Sequence, residues 1–244
     1  MTIPETLDHR VRVNRGQTSI SVIVPLAESK LPDSWAASLM LQCRHAELVL
    51  AAASMVPDHI VASLRRRGAR VLRSDAPRGS RLKEAASSTP AETLVFLHGD
   101  TRLPDSWDRL ILAALREDRP WGAFRLSFGR NGAELPWIAW GANMRSRLQG
   151  LPFGDQVPFV TRSVYEVVGG HPPWSFLDDL ELSLRLRRLA RPLLLPARVV
   201  TSPRRYHAHG RARSVLANLR ILLGFALGRS PEDLKRWYER GVDG

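Results

Sequence analysis

Asp100 stands just past the apolar run 94–97, after His98 and Gly99. If that run is a strand, the carboxylate projects from the C-terminal rim of a sheet, where a hard divalent ion can bridge it to a diphosphate. Asp100-Thr101 is also ordinary turn chemistry. Asp178 and Asp179 precede Leu180, Leu182 and Leu184, with Glu181 alongside and the aromatic residues Trp174 and Phe176 just before. Acids favour the positive end of a helix dipole, and a carboxylate at a cleft mouth can take a proton from a hydroxyl. Adjacent side chains diverge, so one of the two is expected to reach a substrate. Gly154-Asp155-Gln156 fits a tight turn, or a close backbone approach that offers Asp155 and Gln156 to a sugar. Arg204 and Arg205 follow the last strand-like run; there they can clamp a diphosphate bidentately, or lie in a solvated loop. His207 and His209 could join Asp100 at a metal, or be plain surface.

The elements that must position these groups alternate. The runs 19–25, 47–51, 70–72 and 93–98 are apolar or β-branched and short, as buried strands are. Between them, Pro32-Asp33-Ser34 can start a helix, Asp58 can cap one that Gly68 ends, and residues 104–116 carry Trp107, Leu110, Ile111 and Leu115 on one helical face. This alternation predicts an α/β fold with a Rossmann-like, doubly wound, mostly parallel central sheet and flanking helices. Ligands on such sheets bind beyond the strand C-termini, near Pro25 to Glu28, Ala51 to Ser54 and His98 to Thr101. Further on, 122–128, 157–161 and 193–200 read as strands, and 137–148 and 178–189 as helices. The segments 214–227 and 230–239 form a closing helical pair, the second opened by Ser230-Pro231-Glu232-Asp233. The expected organisation is a basic arm at 1–17, a domain at 18–210 with halves at 18–120 and 121–210, and the helical pair at 211–244.

Composition narrows the class. The chain has 244 residues, 44% apolar and 25% charged, which excludes collagen and wholly disordered chains. Cys43 is the single cysteine, so no intrachain disulfide or cysteine zinc cluster can form, and a reducing, cytoplasmic setting fits. The net charge of +12 is nearly all arginine, the lysines being Lys30, Lys83 and Lys235. Such a chain attracts polyanions, yet its arginines are spread out and no nucleic-acid recognition motif accompanies them. No specific nucleic-acid partner is expected. The apolar run 221–227 is far shorter than the roughly 20 residues that span a bilayer, and 1–17 has no apolar leader segment.

The order of motifs is more specific than any one of them. A first strand ends in Val24-Pro25. Then come Phe96-Leu97-His98-Gly99-Asp100-Thr101-Arg102-Leu103-Pro104, Phe153-Gly154-Asp155-Gln156, Gly169-Gly170, Asp178-Asp179-Leu180-Glu181, and Thr201-Ser202-Pro203-Arg204-Arg205-Tyr206. Over residues 18–240 this resembles the GT-A fold glycosyltransferases of family 2. More narrowly it resembles the bacterial branch of that family associated with radical-SAM and selenium-related domains. That branch ends in a helix matched by Ser230-Pro231-Glu232-Asp233-Leu234 with Trp237-Tyr238.

The resemblance implies an enzyme, an inverting glycosyltransferase that takes a sugar from a nucleotide-diphosphate donor with Mg2+ or Mn2+. Asp100 matches the last acid of the family's metal motif, whose first acid is His98 here. Asp179 matches the catalytic base. Pro25 and Glu28 match the donor loop, and Arg78 lies in a stretch near the donor. Gly99 and the arginines Arg204 and Arg205 fall with the donor. Asp155, Gln156 and Asp178 fall with the sugar or acceptor.

Two features depart from the pattern. Ala51 stands where the family holds the nucleoside with an acid, and Arg81, Leu82, Lys83 and Glu84 replace a usual Gln/Asn pattern. The alternative is therefore a non-catalytic GT-A scaffold that binds a partner. In 211–227, leucines occupy nearly every face around Arg213 and Arg220. That helix packs on the domain or in a dimer, or lies in a membrane interface beside a lipid-linked acceptor, with the protein peripheral at the inner face.

Overall fold

The computed structural model describes residues 19–27, 33–115, 119–129 and 135–243. The arm at 1–17 and Glu28 lie outside the described residues. Period-two alternation builds the first strands. β1 (Ile20–Leu26) sends Val22 and Val24 to one face and Ile23 to the other. After α1 (Asp33–Gln42), β2 (Glu47–Ala53) sends Leu48, Leu50 and Ala52 to the first face and Val49 and Ala51 to the second. Then follow α2 (Asp58–Arg66), β3 (Arg70–Ser74), α3 (Arg78–Ser87), β4 (Thr93–Phe96), β5 (Thr101–Arg102), α4 (Trp107–Ala114) and β6 (Trp121–Ser127). The remainder is α5 (Pro136–Gln149), a 3-10 turn (Gly154–Gln156), β7 (Phe159–Thr161), α6 (Arg162–Val167), α7 (Asp178–Leu189), β8 (Leu193–Thr201), α8 (Arg204–His209), α9 (Arg211–Ala226) and α10 (Pro231–Asp243).

Among the described residues the sheet has eight strands in the order β3-β2-β1-β4-β7-β6-β8-β5. β3, β2, β1 and β4 are parallel, as are β6 and β8, whereas β7 runs against both β4 and β6, and β5 against β8. Parallel strands must be covered on both faces. Leu39, Leu64, Trp107 and Ile111 from α1, α2 and α4 cover the first, and Leu82, Tyr165, Leu182 and Leu186 from α3, α6 and α7 cover the second. This is the α/β architecture that the alternation predicts.

Three elements escape the sequence pattern. α3 carries Arg78, Ser80, Lys83 and Glu84, so its polar composition hides it. Leu82, Ala85 and Ala86, at helical spacing, nevertheless bury against Ile23 and Val49. α8 replaces the loop expected at Arg204; its Tyr206 ring meets Phe128 edge-on at 5.3 Å. β5 has two residues, too few for any periodicity.

Candidate active site

The parallel strands bring three chain segments to one rim. β1 ends at Leu26 beside the end of β2, with Pro25 opposite Ala51, and Ile23 opposite Phe96 carries β4 to the same edge. Past β4 the chain turns at once. Thr101 N–H donates to His98 O at 3.0 Å, and Trp35 Nε1–H donates to Gly99 O at 2.6 Å. Thr101 then pairs with Thr201, hydroxyl to hydroxyl at 3.0 Å, which ties the turn to the end of β8.

His98, at the start of this turn, stands in a cluster with Arg78, Asp178, Asp179 and Gly154. Arg78 donates from Nη1 to Asp178 Oδ1 at 2.8 Å, and its Nη2 lies 2.7 Å from His98 Nε2. A guanidinium has donors only, so His98 Nε2 accepts and its ring proton sits on Nδ1. Asp179 Oδ2 accepts from Gly154 N–H at 2.7 Å, and Oδ1 from Leu180 N–H at 2.9 Å. A Cβ at Gly154 would fall 2.4 Å from His98 Nε2 and 2.9 Å from Asp179 Oδ2, so only glycine admits this approach. Non-glycine backbone in the left-handed region brackets the contact: Leu177 at φ 59° before the acid pair, and the β-branched Val157 at φ 51° after the 3-10 turn. Such strain persists only where the surroundings enforce it.

The two aspartates differ in electrostatics. Asp178 is fully buried, and its Oδ2 has no hydrogen-bond partner among the described residues. Burial, reinforced by the Asp179 charge and opposed by Arg78, pushes its carboxyl up to about 6. Asp179 is half-buried. Burial works against its charge too, but Arg78 and the two backbone N–H donors outweigh it and hold the carboxyl below the usual carboxylate range. Asp179 is thus an ionised acceptor at neutral pH.

The loop between α6 and α7 presses this cluster together. Gly79 N–H donates to Trp174 O at 2.8 Å, and a Cβ at Gly79 would fall 2.0 Å from Pro172 O. Behind the loop, Tyr165 lies against Gly170, with its hydroxyl 2.9 Å from His171 Nδ1 while accepting from His171 N–H at 3.2 Å. Burial pulls His171 down to about 3, so its imidazole is neutral. Trp174 and Phe176 continue the loop to Phe225 of α9 and Tyr238 of α10, with ring centroids 6.3 and 5.4 Å apart.

Asp100, two residues past His98, is exposed and lines a cavity of about 410 Å3 with Arg102, Phe128, Gly129 and Thr201 to Pro203. Among the described residues no three His, Cys, Asp or Glu side chains gather to hold a metal. A cation held there by Asp100 would take its other ligands from substrate phosphates and water, as Mg2+ commonly does. A larger cavity, about 510 Å3, opens at the strands' N-terminal ends beside Ser19, Glu47 and Ala91. One of its two carboxylates, Glu47, is already taken by Arg70 and Thr89.

The remaining expected residues divide. Pro25 and Gly99 sit at the rim, half-buried. Asp155, also half-buried, faces the charge of Arg145. Gln156 does not face a ligand: it is fully buried, with Oε1 accepting from Ser146 Oγ at 2.5 Å and Nε2 donating to Phe124 O at 3.2 Å. Asp178, expected at the acceptor, is likewise enclosed and serves Arg78 instead. Arg204 is exposed on α8, its Nε 3.1 Å from Ser202 Oγ, and His207 is exposed on the same helix. The Arg205 and His209 side chains, like Glu28, lie outside the described residues.

Of two further site arginines, Arg145 carried no signal in the sequence, and Arg81 stood out only as a departure from the family pattern. Arg145 stacks 3.5 Å over the Phe153 ring and feels the charges of Asp155 and Asp179. No spacing rule links positions on a helix and a distant loop. Arg81 is buried and donates from Nη1 to Leu26 O at 3.2 Å and Ala51 O at 3.3 Å. A guanidinium therefore occupies the rim at Ala51.

No family model matches this chain, and no curated protein matches its sequence. Solved structures do match. A mannosyltransferase from Pyrobaculum calidifontis, solved with GDP-Man and Mn2+, is similar at TM-score 0.63 and 17% identity, over 92% of this chain and 69% of that one. Glucosyl-3-phosphoglycerate synthase from Mycobacterium tuberculosis, solved with Mn2+, UDP and phosphoglyceric acid, is similar at 0.54 and 17%, over 83% and 77%. S. aureus TarS is similar at 0.54 and 14%, over 84% of this chain and 40% of that one. At these identities the likeness is one of fold, the GT-A architecture of glycosyltransferases.

Proposed function

We propose that the chain is an inverting glycosyltransferase that moves a sugar from a nucleotide-diphosphate donor to an acceptor hydroxyl, as in family 2. The observation that carries the reading is the Asp179 carboxylate, held ionised by Gly154 and Leu180 N–H and flanked by Arg78 and His98 at the strands' C-terminal rim. The fold likeness to transferases solved with sugar nucleotides or their products supports it.

In the proposed reaction the acceptor oxygen forms a bond to the sugar's anomeric carbon. The bond from that carbon to the diphosphate breaks, and its electron pair leaves with the phosphate. The acceptor proton passes to Asp179. A carboxylate of lowered pKa is a weak base, so the proton moves as the new bond forms, not before it. Arg78 keeps Asp179 charged, and Asp178 keeps Arg78 in place. His98, with its proton on Nδ1, is an acceptor toward Arg78, and Asp100 is the carboxylate that would meet a cation. Mg2+ or Mn2+, held by Asp100, would supply charge stabilisation for the departing diphosphate. Arg204, at the start of α8, stands beside the Asp100 cavity through Ser202 and Pro203 and adds positive charge there.

The nucleoside end differs from the family pattern. With Ala51 and Arg81 at the rim, base recognition rests on donors rather than on a carboxylate acceptor. The test is a thermal-shift screen of nucleoside diphosphates and their sugars with Mn2+. A ligand of the native state raises the melting temperature, by about 2.7 kcal/mol of stabilisation at a hundredfold excess over its dissociation constant. At least one nucleotide sugar is expected to raise it only with the metal present. A flat screen would overturn the reading in favour of a scaffold protein.

A further inference from the structure

Single exposed leucines are ordinary, but α9 presents a row of them. Leu216, Leu219, Leu223 and Leu227 are between 58% and 73% exposed, and their spacing of three or four puts them on one side of the helix. The other side is occupied: Ser214 and Ile221 are buried, and Gly224 lies against Leu234 of α10. Arg213 and Arg220, both exposed, interleave with the leucines, and α9 contains no acid. α5 repeats the pattern. Trp137 and Trp140 are 79% and 60% exposed, and this helix too has no acid. α8 joins the two, for its Tyr206 packs in the cluster of Ile138, Ala139 and Ala142, and Gly210 leads directly into α9.

We propose that this face docks on an anionic phospholipid surface. Leucines and indoles enter the interface while arginines meet the headgroups, the division of labour of an interfacial helix. Charge selects this occupant over a second copy. A two-fold contact through α9 would bring Arg213 and Arg220 of both copies into one seam with no acid on the helix to pair them. The mode is interfacial, since no helix among the described residues is long and apolar enough to cross a membrane. The other side of α9 touches the loop before α7, where Trp174 meets Phe225. The exposed face bears on a lipid-linked acceptor only through the transfer reading above, whereas the docking stands by itself.

The experiment is co-sedimentation of the full chain with vesicles of phosphatidylcholine, alone or mixed with phosphatidylglycerol, at physiological salt. Binding to the mixed vesicles is expected, and much weaker binding to the neutral ones. Leu219→Glu with Leu223→Glu is expected to weaken binding by at least about tenfold. Arg213→Gln with Arg220→Gln is expected to weaken it by roughly tenfold. Unchanged melting temperatures would establish that the variants fold. Leu216→Ser with Leu227→Ser gives the same reading if the first pair does not. No sedimentation with either vesicle, or sedimentation indifferent to the leucine pairs, overturns the proposal. So does a concentration-dependent dimer that the leucine variants abolish, since the face would then belong to a second copy. None of these outcomes requires a sugar donor.

Discussion

Asp178 and Asp179 are neighbours, yet one carboxylate faces Arg78 in the interior and the other faces Gly154 at the rim. Their titrations have opposite signs for stability. Asp178 binds its proton more tightly folded than unfolded, so ionising it costs the folded protein about 3 kcal/mol, a loss that develops between about pH 4 and pH 6 and is constant above. Asp179 stabilises the fold once ionised, and that contribution is lost only as pH falls through its lowered folded value. Urea unfolding from pH 4 to pH 8 is therefore expected to show the wild type losing stability relative to Asp178→Asn across pH 4–6, and the two running parallel above. Parallel curves throughout would show that Asp178 is not held protonated by its surroundings. The sequence marks the pair as special but not which member does what, because adjacent positions on a helix start diverge by an angle that only the packed loop resolves. Gln156 misled for a related reason: an amide in a Gly-Asp-Gln turn looks solvated until Ser146 and Phe124 are folded against it.

At the scale of elements, the site depends on a close approach between the start of α3 and the loop before α7. Gly79 permits it, with Pro172 O where a side chain would begin. Gly79→Ala is expected to push the loop away from Arg78, costing about 1–3 kcal/mol of stability as other overpacked sites do and shrinking the melting shift produced by any nucleotide-sugar donor. A variant with wild-type stability and an undiminished shift would contradict this role. The strands that frame the rim were legible, because β-branched runs bounded by Pro, Gly and Ser declare themselves. α3 and α8 were not. The stripe of α3, Leu82, Ala85 and Ala86, is short and set among charged residues, and α8 rests on the contact of Tyr206 with Phe128.

For the molecule as a whole, the parallel order β3-β2-β1-β4 delivers Ala51, His98 and Asp100 to one edge, and β8, which runs the same way, ends there and leads into α8. The alternation of strand and helix made this much readable. The reversal of β7 between β4 and β6 was not, since pairing direction is a property of the connections rather than of three residues, Phe159 to Thr161. The account stands on a division of labour across that edge: Asp100 for the donor's cation and Asp179 for the acceptor's proton. The direct measurement is turnover of a stabilising sugar nucleotide with Mn2+, compared between wild type and Asp179→Asn, with donor affinity measured on both. The account predicts that kcat falls by about 100-fold or more, as for removal of a general base, while donor affinity stays within about twofold. Equal turnover in the two proteins would contradict it.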